Sequence, residues 1–181
     1  NAEWTRNWWM RRHEQKLADL KKQGSVDLLM VGDSITHGWE RPGRATWNKY
    51  YADRKAFNIG FSGDRTEHVI WRLNTGNLRN QKQAKVAVVM IGTNNTGHFD
   101  QDPGEVAEGV GSILEILEQK RPETKVLLLG VFPRGRSPHD LKRLNNVMIN
   151  HSQTTKRNSQ MIDQRTWPVP NSAANMRELL E

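Results

Sequence analysis

Four short apolar runs, residues 26–31, 56–59, 86–91 and 126–132, constrain this chain more than anything else in it. Each has the length of a strand and is rich in Val, Ile or Leu. They are apolar almost throughout instead of alternating, which is the pattern of strands buried on both faces of a parallel sheet. Helical patterns lie between them. Val106, Val110, Ile113, Leu114 and Leu117 form an apolar stripe at helical period, opened by Pro103 and closed near Pro122. A long N-terminal helix is expected over residues 4–23, and another over about 140–155 with Leu141, Leu144 and Val147 on one side. A short fifth strand fits residues 160–162. Strands alternating with helices imply right-handed crossovers and a parallel sheet covered on both faces, a doubly wound α/β fold.

With 181 residues, 35% of them apolar, the chain has material for one sizeable core, and residues 1–181 are read as a single domain. It has no cysteine, which excludes a disulfide framework and a thiolate metal site. No apolar run approaches the length that crosses a bilayer, and residues 1–9 lack the apolar centre of a secretory signal. The sequence opens without a methionine, which fits a cleaved precursor and a shortened chain equally; a soluble protein, with export to the periplasm or outside, is the expectation. The net charge of +7 invites a nucleic-acid reading. The basic residues do not cluster, however. Those at 11–22 and 142–157 are interspersed with Glu, Asp and Gln as on a solvated helix face, so nucleic acid is not the expected partner.

In open parallel sheets, ligands bind beyond the carboxyl ends of the strands. After the first run comes Gly32-Asp33-Ser34-Ile35-Thr36-His37-Gly38; after the second, Asn58-Ile59-Gly60-Phe61-Ser62-Gly63-Asp64; after the third, Gly92-Thr93-Asn94-Asn95. Parallel strands deliver all three to one edge of the sheet. A hydroxyl nucleophile needs a base and dipoles that stabilise the oxyanion formed on attack. Ser34, between a strand and a helical turn, has an exposed Oγ and nearby backbone N–H groups to offer; Gly63 brings its own N–H close with no side chain in the way; Asn94 offers a side-chain amide. Singly, each segment has ordinary turn composition. Their joint occurrence at successive strand ends is what points to a shared site. Neither a G-x-x-x-x-G-K-[ST] nor a G-x-G-x-x-G string is present, so a phosphate-cradling loop is unsupported.

On these residues, together with Arg65-Thr66, His68-Val69-Ile70-Trp71-Arg72-Leu73 and Phe132-Pro133-Arg134-Gly135, the chain resembles the SGNH, or GDSL-type, hydrolases. Within them it is similar to the branch of the catalytic subunits of platelet-activating-factor acetylhydrolase isoform Ib and related bacterial acetyl esterases. The resemblance covers residues 26 to about 153. It implies a flavodoxin-like three-layer α/β/α sandwich, no metal or other cofactor, and hydrolysis of acetyl or other short acyl esters, in similar bacterial proteins often those of carbohydrates. It also implies that Ser34 is the nucleophile with its own N–H in the oxyanion hole, joined there by the Gly63 N–H and the Asn94 side chain. The implied partner is a small acyl ester or acetylated carbohydrate, with a homodimer left open and no role for a membrane.

The family places its base in an Asp-x-x-His element just before the last helix. The corresponding stretch here, Met161-Ile162-Asp163-Gln164-Arg165-Thr166-Trp167-Pro168-Val169-Pro170-Asn171, has no histidine, and none follows His151. From about residue 163 the catalytic segment is therefore read as missing or altered. His37 and His98, nearest the catalytic segments, are the alternative candidates. His68 is expected to serve helix packing or hydrogen bonding, while His13, His139 and His151 read as surface positions. Asp33 adjoins the nucleophile in sequence and is expected to brace the loop. A catalytically impaired domain that binds an acylated or carbohydrate ligand is the second functional expectation.

Overall fold

The computed structural model describes residues 3–76, 78, 84–132 and 159–162. In chain order these form α1 (Glu3–Gln23), β1 (Leu28–Gly32), α2 (Ser34–His37), α3 (Arg44–Tyr50), β2 (Ala56–Gly60), α4 (Thr66–Thr75), β3 (Val86–Met90), α5 (Thr93–His98), α6 (Pro103–Lys120), β4 (Lys125–Leu129) and β5 (Ser159–Ile162). All strand pairs are parallel, in the order β2-β1-β3-β4-β5. This is the flavodoxin-like doubly wound order, whose switch point lies between β1 and β3.

Side chains alternate between the two faces of each strand, and both faces are covered. Leu29 and Val31 of β1, Phe57 and Ile59 of β2 and Ala87 and Val89 of β3 pack with Leu20 of α1, Val69 and Leu73 of α4 and the apolar stripe of α6. The intervening Leu28, Met30, Val86 and Val88 pack towards Trp47 of α3 and Tyr51. The result is a three-layer α/β/α sandwich. Stripe residues Val106, Val110, Ile113, Leu114 and Leu117 are all buried, so their spacing reported a real helix face.

The sequence pattern overshoots the strands at their ends. Val26, Ile91 and Val131 are buried but lie outside the ladders. Apolarity marks what is shielded from water, whereas a strand ends where its backbone pairing ends. The helix α3 and the helical form of residues 93–98 were not legible; both are short and weakly patterned. The helix expected over about 140–155, the Pro133-Arg134-Gly135 segment, His139, His151 and the stretch from 163 onwards lie outside the described residues.

Candidate active site

Register brings the three candidate segments level. Gly32, the last residue of β1, pairs with Gly60 of β2 on one side and Met90 of β3 on the other. Ser34, Gly63 and Asn94 follow these positions within two to four residues, on the carboxyl edge and beside the switch point.

Ser34 is exposed and heads α2. Asp33 caps that helix: its carboxylate accepts the Ile35 N–H at 2.9 Å, and its backbone carbonyl accepts the His37 N–H at 2.8 Å. Ser34's own N–H is left in the first turn, where a helix supplies no partner. Asp33 is buried, and its carboxylate braces the turn. The turn is seated on β2 by Asn58, whose amide donates to the Thr36 carbonyl at 2.6 Å while its oxygen accepts the Gly60 N–H at 2.7 Å. Gly60 has to be glycine, since a Cβ there would lie 2.7 Å from the Thr36 carbonyl carbon.

Gly63 sits at φ +82° in an exposed turn closed by the Asp64 N–H donating to the Phe61 carbonyl at 3.1 Å. That left-handed conformation suits glycine, and the space a Cβ would enter is open. Asn94 is buried, and its Nδ2 donates to the Asp64 carbonyl at 2.7 Å, directly joining the segment after β3 to the Gly63 loop. The same amide carries a second N–H.

Behind the loop lies a buried ion pair that sequence reasoning missed. Arg72 of α4 donates through Nε at 3.0 Å and Nη2 at 2.6 Å to Oδ2 of Asp64, and both side chains are 0% exposed. Trp9 of α1 donates through Nε1 at 2.6 Å to Oδ1 of the same carboxylate. Burial pushes the Asp64 carboxyl up from its ordinary range, against the opposing pull of Arg72 and Trp9. A signal was present: Arg72 shares a helix face with buried Val69 and Leu73, a position that demands a partner for a charge.

Helix α1 contributes more. Arg12 donates to the Gly60 carbonyl at 2.8 Å and grips Glu40 with two hydrogen bonds of 2.9 Å, and Lys16 reaches Glu40 at 2.6 Å. Burial works to raise the Glu40 pKa, but these cations outweigh it and hold the carboxylate below its usual range. Nothing in the sequence of α1 said where the helix would dock.

The histidines separate clearly. His37 lies between the segments, with Nδ1 2.9 Å from Ser62 Oγ, Nε2 3.9 Å from Glu40 and its ring stacked on Trp8. Burial and then the Arg12 charge lower its pKa, with Glu40 opposing. His98 ends α5 on exposed surface. His68 accepts the Arg65 N–H through Nδ1 at 3.0 Å, the helix role expected of it. His13 is a correction: read as a surface residue, it is 4% exposed, stacked on Trp9 and tilted against Trp71. Trp9, one turn earlier on α1, and Trp71 of α4, which no local window reveals, pack against it. Among the described residues no group of His, Asp or Glu is arranged to hold a metal ion.

Comparison with known proteins agrees with the fold. The profile of the GDSL-like lipase/acylhydrolase family matches residues 30–175. The alpha2 subunit of human platelet-activating factor acetylhydrolase IB is 35% identical over 158 residues, covering 86% of this chain and 66% of that protein. The chain thus spans just under two thirds of that relative's length. Among solved structures, a GDSL-like lipase from Bacteroides thetaiotaomicron superposes with a TM-score of 0.65 at 20% identity, covering 83% of this chain and 76% of that one. The SGNH-hydrolase family esterase AlinE4 gives 0.61 at 19% identity, covering 86% and 91%. At such identities these two structures speak for the fold alone.

Proposed function

The chain belongs to the GDSL-like lipase/acylhydrolase family, and we propose that it is a serine esterase acting on short-chain acyl esters, chiefly acetyl esters, including those of carbohydrates. Ser34 Oγ attacks the acyl carbonyl, and the alcohol leaves with a proton as the acyl–Ser34 ester forms. Water then releases the acid and regenerates the hydroxyl. The oxyanion is held by the N–H groups of Ser34 and Gly63 and by the Asn94 amide. One observation carries this reading: an exposed serine at a helix head, a glycine turn at φ +82° and a buried asparagine bonded to that turn meet at one sheet edge. The acetylhydrolase relatives support the choice of a short acyl group.

The test is hydrolysis of p-nitrophenyl acetate by the protein and by Ser34→Ala, with far-ultraviolet circular dichroism as the folding control. Loss of activity in a folded variant supports the assignment, and unchanged activity refutes it. A base resident on these segments predicts that His37→Ala or His98→Ala abolishes turnover as completely.

A second reading, a domain that binds an acylated or carbohydrate ligand without turning it over, is favoured by one feature. Asp163 is followed three residues on by Thr166, where the family's element would carry histidine. Loss of a triad base costs on the order of 10⁴ to 10⁶ in kcat. Saturable binding of an acetylated sugar with turnover at the solvent rate would favour this reading. A gain of several orders of magnitude on grafting an Asp-x-x-His segment after Asp163 would show that only the base was lacking.

A further inference from the structure

Ser34 and the Gly63 loop belong to different crossovers, yet an oxyanion site works only if nucleophile and donors keep a fixed separation. Asn94 fixes one side of the Gly63 loop by holding the Asp64 carbonyl. On the other side, next to Gly63, stands Ser62, an exposed residue whose hydroxyl lies 2.9 Å from His37 Nδ1. His37 closes α2, one helical turn beyond Ser34. We propose that His37 and Ser62 form a latch that sets the Gly63 N–H against the nucleophile's helix, making both of them positioning residues for the reaction. This rests on the reading of Gly63 as an oxyanion donor.

The surroundings fit a hydrogen bond of defined sense. Glu40, held by Arg12 and Lys16, faces Nε2 of His37 at 3.9 Å and favours the tautomer with its proton there. Nδ1 is then an acceptor, and the Ser62 hydroxyl donates to it. Partial burial, and then the Arg12 charge, lower the pKa of the ring against the opposing Glu40, which favours the neutral form that carries this acceptor. The Trp8 ring stacked on the imidazole at a centroid distance of 5.8 Å limits its rotation. Trp8, Arg12 and Lys16 all come from α1, so the helix that pins Asp64 through Trp9 also steadies the latch from behind. Gly63 itself has no side chain with which to anchor its turn, and the flanking residues have to do so.

The experiment compares the full chain with His37→Ala, His37→Asn, Ser62→Ala and the His37→Ala/Ser62→Ala double variant. Two readouts are taken: the backbone ¹⁵N order parameter of Gly63, and kcat and KM on p-nitrophenyl acetate. A latch predicts that each alanine variant drops the Gly63 order parameter from about 0.85 towards 0.6, the range separating rigid from flexible backbone. It predicts that kcat falls about tenfold with KM within about twofold, less than the roughly 10² to 10³ that removal of an oxyanion donor costs. The double variant should match the singles, because one shared bond is broken in all three. His37→Asn, which can place an acceptor near the Nδ1 position, should recover most of the loss.

An unchanged Gly63 order parameter in both alanine variants overturns the latch, whatever the kinetics. So does additivity of the two losses, or a His37→Asn variant as inactive as His37→Ala, which would make His37 the base instead. If His37→Ala does not fold, Ser62→Ala, which removes a single oxygen, decides alone. If the parent protein hydrolyses nothing, the esterase reading fails, and the Gly63 order parameter still decides the latch.

Discussion

Arg72→Met tests the internal frame of the site most severely. In the folded chain the Arg72 guanidinium is wholly buried, donates two hydrogen bonds to Asp64 and lies over the Phe61 ring at 4.0 Å from its centroid. Methionine fills much of the same volume but leaves the Asp64 carboxylate in the interior with the Trp9 N–H and without its charge partner. Removing one member of a buried pair costs about 3 to 5 kcal/mol. For a chain of this length each kcal/mol moves Tm by about 2 to 4 °C, so the expected drop is about 6 to 20 °C. Because Asp64 directly follows Gly63, kcat on p-nitrophenyl acetate should fall as well, even below the new Tm. The control is Asp64→Asn/Arg72→Met, in which the buried group is neutral and Trp9 keeps an acceptor; it should be clearly more stable than Arg72→Met alone. Differential scanning calorimetry and steady-state kinetics measure both quantities. A Tm drop under about 2 °C for Arg72→Met, or a double variant no more stable than it, would refute the reasoning.

Three further outcomes follow from the same contacts. Asn94→Ala should lower kcat by about 10² to 10³ with little change in KM, since an oxyanion donor acts mainly in the transition state; an effect confined to KM would remove Asn94 from that role. Gly60→Ala puts a methyl group against the backbone of Thr36 and His37, so it should cost about 1 to 3 kcal/mol in denaturant unfolding and reduce kcat by shifting the helix that carries Ser34. His13 has its pKa lowered by burial and then by Arg72, so below the unfolded value of about 6.5 the unfolded chain binds more protons and stability falls as pH drops towards the folded pKa. His13→Phe keeps the stacking on Trp9 and Trp71 and should flatten part of the dependence of Tm on pH below 6.5; an unaltered slope would contradict it.

The sequence by itself determined the layer plan and which segments share an edge. Uninterrupted apolarity in residues 26–31, 56–59, 86–91 and 126–132 is a local record of burial on two faces, and parallel strands then force the segments carrying Ser34, Gly63 and Asn94 to emerge together. The stripe on α6 was legible for the same reason, because helical period is written within one turn of its neighbours. Tertiary structure alone decided how the edge is held. Trp9 reaching Asp64, Arg12 reaching Gly60 and Glu40, and His37 meeting Ser62 join residues 55, 48, 28 and 25 positions apart. Such contacts leave no periodic trace, because directional bonds between single side chains depend on where whole elements dock. His13 shows the difference most plainly: a polar residue in a charged helical window reads as solvated, yet it is 4% exposed and packed against Trp9 and against Trp71, the latter supplied from another helix.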